Sequence, residues 1–150
     1  MRGVNPRPTT ITSVMRRSRR LLLVEDECLI AMNMVEKLIE LGYTVIGPAS
    51  TMAEARHLAA VADFDVAVVD LKLRGVVADE VADILALRKI PFLFVTGYSQ
   101  VPDRRFSEIS IITKPFQGLD LHRAIEDLLA GTARKVAAAA RSEKTAQALR

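Results

Sequence analysis

Four apolar residues, Val66-Ala67-Val68-Val69, three of them β-branched, run directly into the carboxylate of Asp70. A continuous apolar run bounded by polar residues reads as a strand covered on both faces, which is the habit of parallel sheets. Parallel strands need long crossovers, usually helical, so the rest of the chain must alternate strand with helix. Asp70 then stands at the carboxyl end of its strand, the edge at which open α/β sheets hold their ligands. Asp is also a common turn residue, and the run alone leaves both roles open.

The flanking sequence supplies the alternation. Residues 21–24 make a short apolar strand that ends in Glu25-Asp26. The spacing of Ile30, Met34, Leu38 and Leu41 predicts a helix over 27–41, with Gly42 as its stop. Residues 43–46 form a second strand closed by Gly47-Pro48, and Thr51 and Glu54 have the capping-box spacing that opens a helix reaching about residue 62. After the strand at 66–69 and a loop over 71–75, residues 78–87 read as a helix with Val81, Ile84 and Leu85 inward. A fourth strand, 92–95, ends at Thr96-Gly97. Residues 100–108 are ambiguous, with at most a short or mobile helix. A fifth strand, 109–112, leads to Lys114-Pro115 and a last helix over 119–129. Five strands alternating with helical segments imply an α/β fold, a doubly wound parallel sheet with helices on both faces.

Charge divides the chain. Residues 1–20 carry six Arg and no acid, and residues 131–150 carry five Lys or Arg against Glu143; those ends hold +6 and +4 of a total of +3, so residues 21–130 hold −7. The basic leader, 1–19, with Pro6 and Pro8, reads as disordered. The folded domain is expected over 20–130, closing at Gly131, and the Ala-rich tail, 131–150, as disordered or a marginal helix. An acidic body does not suit specific DNA binding. The single Cys28 permits no intramolecular disulfide and suits a reducing compartment. With no secretory signal and no run of membrane-spanning length, a cytoplasmic location without membrane partners is expected.

The strand ends carry the chemistry. They bring Glu25 and Asp26, then Asp70, Thr96 and Lys114, to one edge. Carboxylates placed together repel unless a cation neutralises them. An all-oxygen donor set points to a hard ion, and Mg²⁺ suits a few carboxylates with phosphate and water. His57 and His122 fall within predicted helices away from this edge and read as surface or packing residues. A carboxylate beside a neutralising metal can attack a phosphoryl group, with the Lys114 ammonium and the Thr96 hydroxyl available to its oxygens. Asp70, central among the strand ends, is the nucleophile candidate.

In Leu-Val-Glu25-Asp26-Glu27, Val-Val-Asp70, Val-Thr96-Gly97 and Thr-Lys114-Pro115-Phe116, taken in that order, the chain over 20–130 resembles the receiver domain of two-component response regulators. The resemblance implies a flavodoxin-like sheet of order 2-1-3-4-5 and phosphorylation of Asp70 by a histidine kinase or phosphotransfer protein. It implies Mg²⁺ on Glu25, Asp26, Asp70 and the Lys72 backbone carbonyl, and a cis bond before Pro115. Receivers usually carry an aromatic three residues before the lysine; here that place is Ile111. Phe94-Val95-Thr96-Gly97-Tyr98 is instead similar to the FAT GUY subgroup, which makes Tyr98 a candidate switch aromatic and Gly97 a structural residue that lets the loop after the fourth strand adopt unusual φ/ψ values; an exposed loop aromatic is the other reading of Tyr98. The Lys72 side chain is either a rim charge that alters the lifetime of the phosphoryl group or an ordinary solvated lysine.

The expectation is therefore a stand-alone response regulator, monomeric or weakly dimeric, that switches a protein-interaction surface toward a downstream regulator. It catalyses only its own phosphorylation and dephosphorylation. A receiver-fold adaptor that is not phosphorylated, and a phosphate sink, are the alternatives. A metal-dependent phosphatase with an Asp nucleophile would need a second acidic residue where Lys72 stands.

Overall fold

A computed structural model describes residues 17–97 and 101–149; the leader apart from 17–19, and Tyr98, lie outside the described residues. The elements run β1 (Arg20–Val24), α1 (Cys28–Glu40), β2 (Thr44–Ala49), α2 (Met52–Val61), β3 (Val66–Asp70), β4 (Lys72–Leu73), β5 (Val76–Val77), α3 (Asp79–Leu87), β6 (Phe92–Thr96), a 3₁₀ turn (Arg104–Phe106), β7 (Ile111–Thr113) and α4 (Gly118–Ala148). Five of the strands form a parallel sheet in the order β2-β1-β3-β6-β7. With β6 and β7 as the fourth and fifth long strands, this is the 2-1-3-4-5 order expected. The two short strands β4 and β5 pair antiparallel as a separate hairpin.

Every residue of β3 and β6 is buried, because alternate side chains enter two different cores. Leu22, Val24, Ala67, Val69, Phe92 and Phe94 face α2 and α3, meeting Ala55, Ala59, Val81, Ala82 and Leu85. Leu21, Leu23, Val66, Val68, Leu93 and Val95 face α1 and α4, meeting Met34, Leu38, Leu121 and Ile125. Each such aliphatic side chain stabilises the fold by roughly 1.5–3 kcal/mol relative to exposure, and together they fix the heights of the strand ends above the helices.

Helix ends explain where the strands begin. Gly42, at φ 94°, closes α1 by a Schellman motif: its amide donates to the Ile39 carbonyl (2.9 Å) and the Tyr43 amide to the Leu38 carbonyl (3.0 Å). Thr51 caps α2 by accepting from the Glu54 amide (3.2 Å), while the Glu54 carboxylate accepts from the amide of Ser50, one residue before the usual box partner (3.2 Å).

Besides the β4–β5 hairpin, which stands where a loop over 71–75 was expected, three elements depart from expectation. β2 continues through Gly47-Pro48 to Ala49, because as an edge strand it tolerates the missing amide and absorbs it as a register shift against β1. Gly47 is required there: at φ 97°, a Cβ would lie 2.7 Å from both the Ala49 nitrogen and the Leu23 oxygen. β7 is Ile111–Thr113 rather than 109–112, since the Phe106-anchored turn occupies the residues before it. The last helix passes through Gly131 without interruption and ends at Ala148, with residues 133–149 exposed.

Candidate functional site

Four strand ends build the site. β1 delivers Glu25 and Asp26, β3 delivers Asp70, β6 delivers Thr96, and β7 leads into Lys114. Backbone bonds lock these ends side by side: the Leu71 amide donates to the Val95 carbonyl (2.9 Å), and the Lys114 amide to the Thr96 carbonyl (2.7 Å). Among the described residues, Glu25, Asp70 and Thr96 are the buried polar ones, at 1%, 7% and 3% exposure, against an otherwise apolar interior. Buried polar groups of this kind need partners.

Those partners are present. Lys114 Nζ donates to Glu25 Oε2 (2.8 Å) and to Asp70 Oδ2 (3.2 Å), so one ammonium serves two carboxylates. The Glu27 amide donates to Glu25 Oε1 (3.1 Å), and the Lys72 amide to Asp70 Oδ1 (3.2 Å). Asp26, half-buried, accepts at Oδ2 from the Arg74 amide (2.9 Å). Thr96 donates its hydroxyl to the Gly97 carbonyl (3.0 Å). The Lys114–Pro115 bond is cis. A cleft of about 290 Å³ opens over the site, lined by Asp26, Glu27, Asp70, Lys72, Gly97 and Lys114.

The electrostatics follow from the crowding. Burial, then the neighbouring Glu25 charge, push the Asp70 carboxyl up to about 6, against the opposing pull of Lys114 and of the Lys72 amide. Burial disfavours the Lys114 ammonium, but its bonds and proximity to Glu25 and Asp70 outweigh this and hold it above the usual lysine range. Two acids share one base, which leaves an uncompensated negative charge. Carboxylate oxygens of Glu25, Asp26 and Asp70 all lie within 4.8 Å of one another, a hard donor set at a spacing that fits one small divalent cation.

No family model matches the chain. Among curated proteins it is 35% identical over 113 residues to the transcriptional regulatory protein PdtaR of Mycobacterium tuberculosis, covering 72% of this chain and 55% of that one. It is 34% identical over 115 residues to the phyllosphere-induced regulator PhyR of Methylorubrum extorquens, covering 73% and 43%. The chain thus spans about half the length of the curated relatives it matches. Among solved structures, SdrG of Sphingomonas melonis aligns with a TM-score of 0.67 at 38% identity over 75% of this chain and 97% of that one. The HemR receiver domain of Leptospira biflexa aligns at 0.65 and 30% identity over 75% and 94%. The chain belongs to the response regulator receiver family.

The receiver's acidic pocket contains the residues read from the strand ends. Glu25, Asp26, Asp70 and Lys114 converge directly; Thr96 stands at the adjoining strand end with its hydroxyl turned to Gly97. The Lys72 amide reaches Asp70, while its side chain is exposed on the rim. Tyr98 lies outside the described residues. Ile111 is 42% exposed on the edge strand. His57 is exposed on α2, and His122 meets the Tyr43 hydroxyl (3.1 Å) at the opposite edge of the sheet, so neither belongs to the pocket. Sequence reasoning passed over Arg74, whose amide holds Asp26; the one signal was Arg74-Gly75 between Lys72-Leu73 and Val76-Val77, a short hairpin turn hidden in what reads as a loop.

Proposed function

We propose that this receiver is switched by phosphorylation of Asp70. The observation that carries the reading is the arrangement around that side chain. A strand-end carboxylate lies in a cleft, 3.2 Å from a lysine ammonium and within 4.8 Å of two further carboxylates. An Asp70 oxygen attacks the phosphorus of a phosphohistidine on a kinase or phosphotransfer protein; the new O–P bond forms as the P–N bond breaks, and the imidazole leaves as a neutral ring that keeps the proton already on its other nitrogen. Lys114 faces the incoming phosphoryl oxygens, and the Thr96 hydroxyl, released from Gly97, can donate to one of them. Glu25, Asp26, Asp70 and the Lys72 carbonyl would hold Mg²⁺, which supplies charge neutralisation for the phosphoryl group.

In this reading the protein catalyses only its own phosphorylation and dephosphorylation, acts in the cytoplasm, and presents the changed surface to a downstream protein. The rearrangement at Thr96-Gly97 shifts a pre-existing equilibrium in the segment that leads to β7. With Ile111 in the usual aromatic position, Tyr98 is the candidate to follow Thr96, in the FAT GUY manner. The full chain incubated with acetyl phosphate and Mg²⁺ is expected to gain one acyl-phosphate, seen as an 80 Da increase by intact mass on the order of one per chain. Labelling that persists in Asp70→Asn, or no labelling of the wild type, overturns the reading.

A further inference from the structure

The β4–β5 hairpin joins Lys72 to Val77 and Leu73 to Val76, leaving Arg74 and Gly75 as a two-residue turn. Both have positive φ, 48° and 80°, the signature of a type I′ turn. Gly, Asn or Asp adopt this conformation readily; an arginine carries the steric cost of its Cβ without the local hydrogen bond that an Asn side chain would make. Strain of this kind persists only where the surroundings hold it. Two contacts do so. The Arg74 amide donates to Asp26 Oδ2 (2.9 Å), and its Nε donates to the Ser50 carbonyl (3.1 Å) in the β2–α2 connection. Leu73, 1% exposed, anchors the other side of the turn in the core.

We propose that Arg74 is a positioning residue for the cation-binding carboxylate Asp26, with its guanidinium as the tether that holds the hairpin in place. The inference rests on the reading of the acidic pocket as a Mg²⁺ site. An amide on one oxygen of a ligating carboxylate fixes the carboxylate plane and thereby aims the other oxygen, and such outer partners commonly govern metal affinity. Asp26 needs this support: it is half-exposed, whereas Glu25 is held by Lys114 and the Glu27 amide, and Asp70 by Lys114 and the Lys72 amide. By thermodynamic reciprocity, a cation on Asp26 tightens the hairpin as much as the hairpin favours the cation. The hairpin, with its exposed pair Val76 and Val77, thus senses whether the pocket is loaded.

The test is Mg²⁺ titration of the full chain by calorimetry, with hydrogen exchange at the residue 74 amide read in parallel. Arg74→Lys keeps the charge, so it leaves the cation's electrostatics in place while removing the Nε tether. It is expected to weaken Mg²⁺ binding about 3- to 10-fold, to speed exchange at residue 74 before any Mg²⁺ is added, and to leave the melting temperature in place. Arg74→Gly relieves the positive-φ cost and keeps the amide, yet is expected to weaken binding as well. Wild-type affinity in Arg74→Lys overturns the proposal. So does an Arg74→Gly protein that melts higher and binds Mg²⁺ no more weakly than wild type, since the side chain would then be strained to no purpose. A wild-type chain that binds no Mg²⁺ overturns the metal reading of the pocket and the clamp with it, a result distinct from either variant outcome.

Discussion

Asp70 is placed where its charge is hardest to bear, and this gives the metal-free protein a particular pH dependence. Its carboxyl titrates near 3.8 when unperturbed and is pushed up to about 6 in the fold, by burial and by Glu25. Between those values the folded chain holds a proton that the unfolded chain has lost. The stabilisation that this proton gives is therefore fully present below about pH 4 and disappears as the pH rises through about 6. In buffer without Mg²⁺, urea unfolding of the wild type compared with Asp70→Asn should show the difference between them growing over that window, by on the order of 3 kcal/mol in favour of the variant. A flat difference would mean that Lys114 alone neutralises the pair. At this scale much was legible. The convergence of Asp26, Asp70 and Lys114 could be read because each stands at or just past the end of an apolar run, and in a parallel sheet the carboxyl ends of the strands share one edge. Arg74 could not, because its contribution is a main-chain amide, which every residue possesses, presented by a turn whose sequence lacks the expected Asn or Gly at the first place.

Helix termini set the strand starts, and one is made from an unexpected residue. α3 ends as α1 does: the Lys89 amide donates to the Ala86 carbonyl (3.0 Å) and the Ile90 amide to the Leu85 carbonyl (3.0 Å), a Schellman motif with Lys89 at φ 57° where α1 has glycine. Lys89→Gly should stabilise the domain by about 0.5–1 kcal/mol, relief of the left-handed cost exceeding the added freedom of the unfolded chain. Thermal or urea unfolding would show it, and a destabilised variant would mean that the Lys89 side chain makes a contact of greater value. Long elements were legible because an apolar stripe repeats several times within each, as Met34 and Leu38 do on α1. β4 and β5, of two residues each, show no period at all. The β6–β7 crossover was ambiguous for another reason. Its only regular piece among the described residues is a 3₁₀ turn held by Phe106, which packs edge-on to Phe92 (6.4 Å) and Phe94 (6.1 Å), and a single anchor leaves no pattern.

For the molecule as a whole, the alternation of buried strands with amphipathic helices left few topologies open, and the resemblance to receiver domains, not the alternation, singled out the order 2-1-3-4-5. The extent of α4 was not. Its first half buries Leu121 and Ile125 against the sheet, whereas residues 133–149 are exposed and offer mostly alanine and charge. A free segment of this kind would be a marginal helix because nucleation is costly. Joined to a packed helix it needs no new nucleus, and alanine has the best propensity for propagation, so Gly131 is simply carried through at a cost of about 1 kcal/mol. The consequence is that helix length and domain stability are uncoupled here. Removing residues 137–150 should shorten the helix, with a smaller circular dichroism signal at 222 nm, while the melting temperature stays within about 3 °C of the full chain. The acyl-phosphate formation proposed for Asp70 should be unchanged, because the pocket lies at the strand ends and draws nothing from this stretch. A larger fall in melting temperature would show that the distal turns pack on the body, along the groove formed by Ile90, Pro91, Ile109 and Val136, and that the folded unit extends past residue 130.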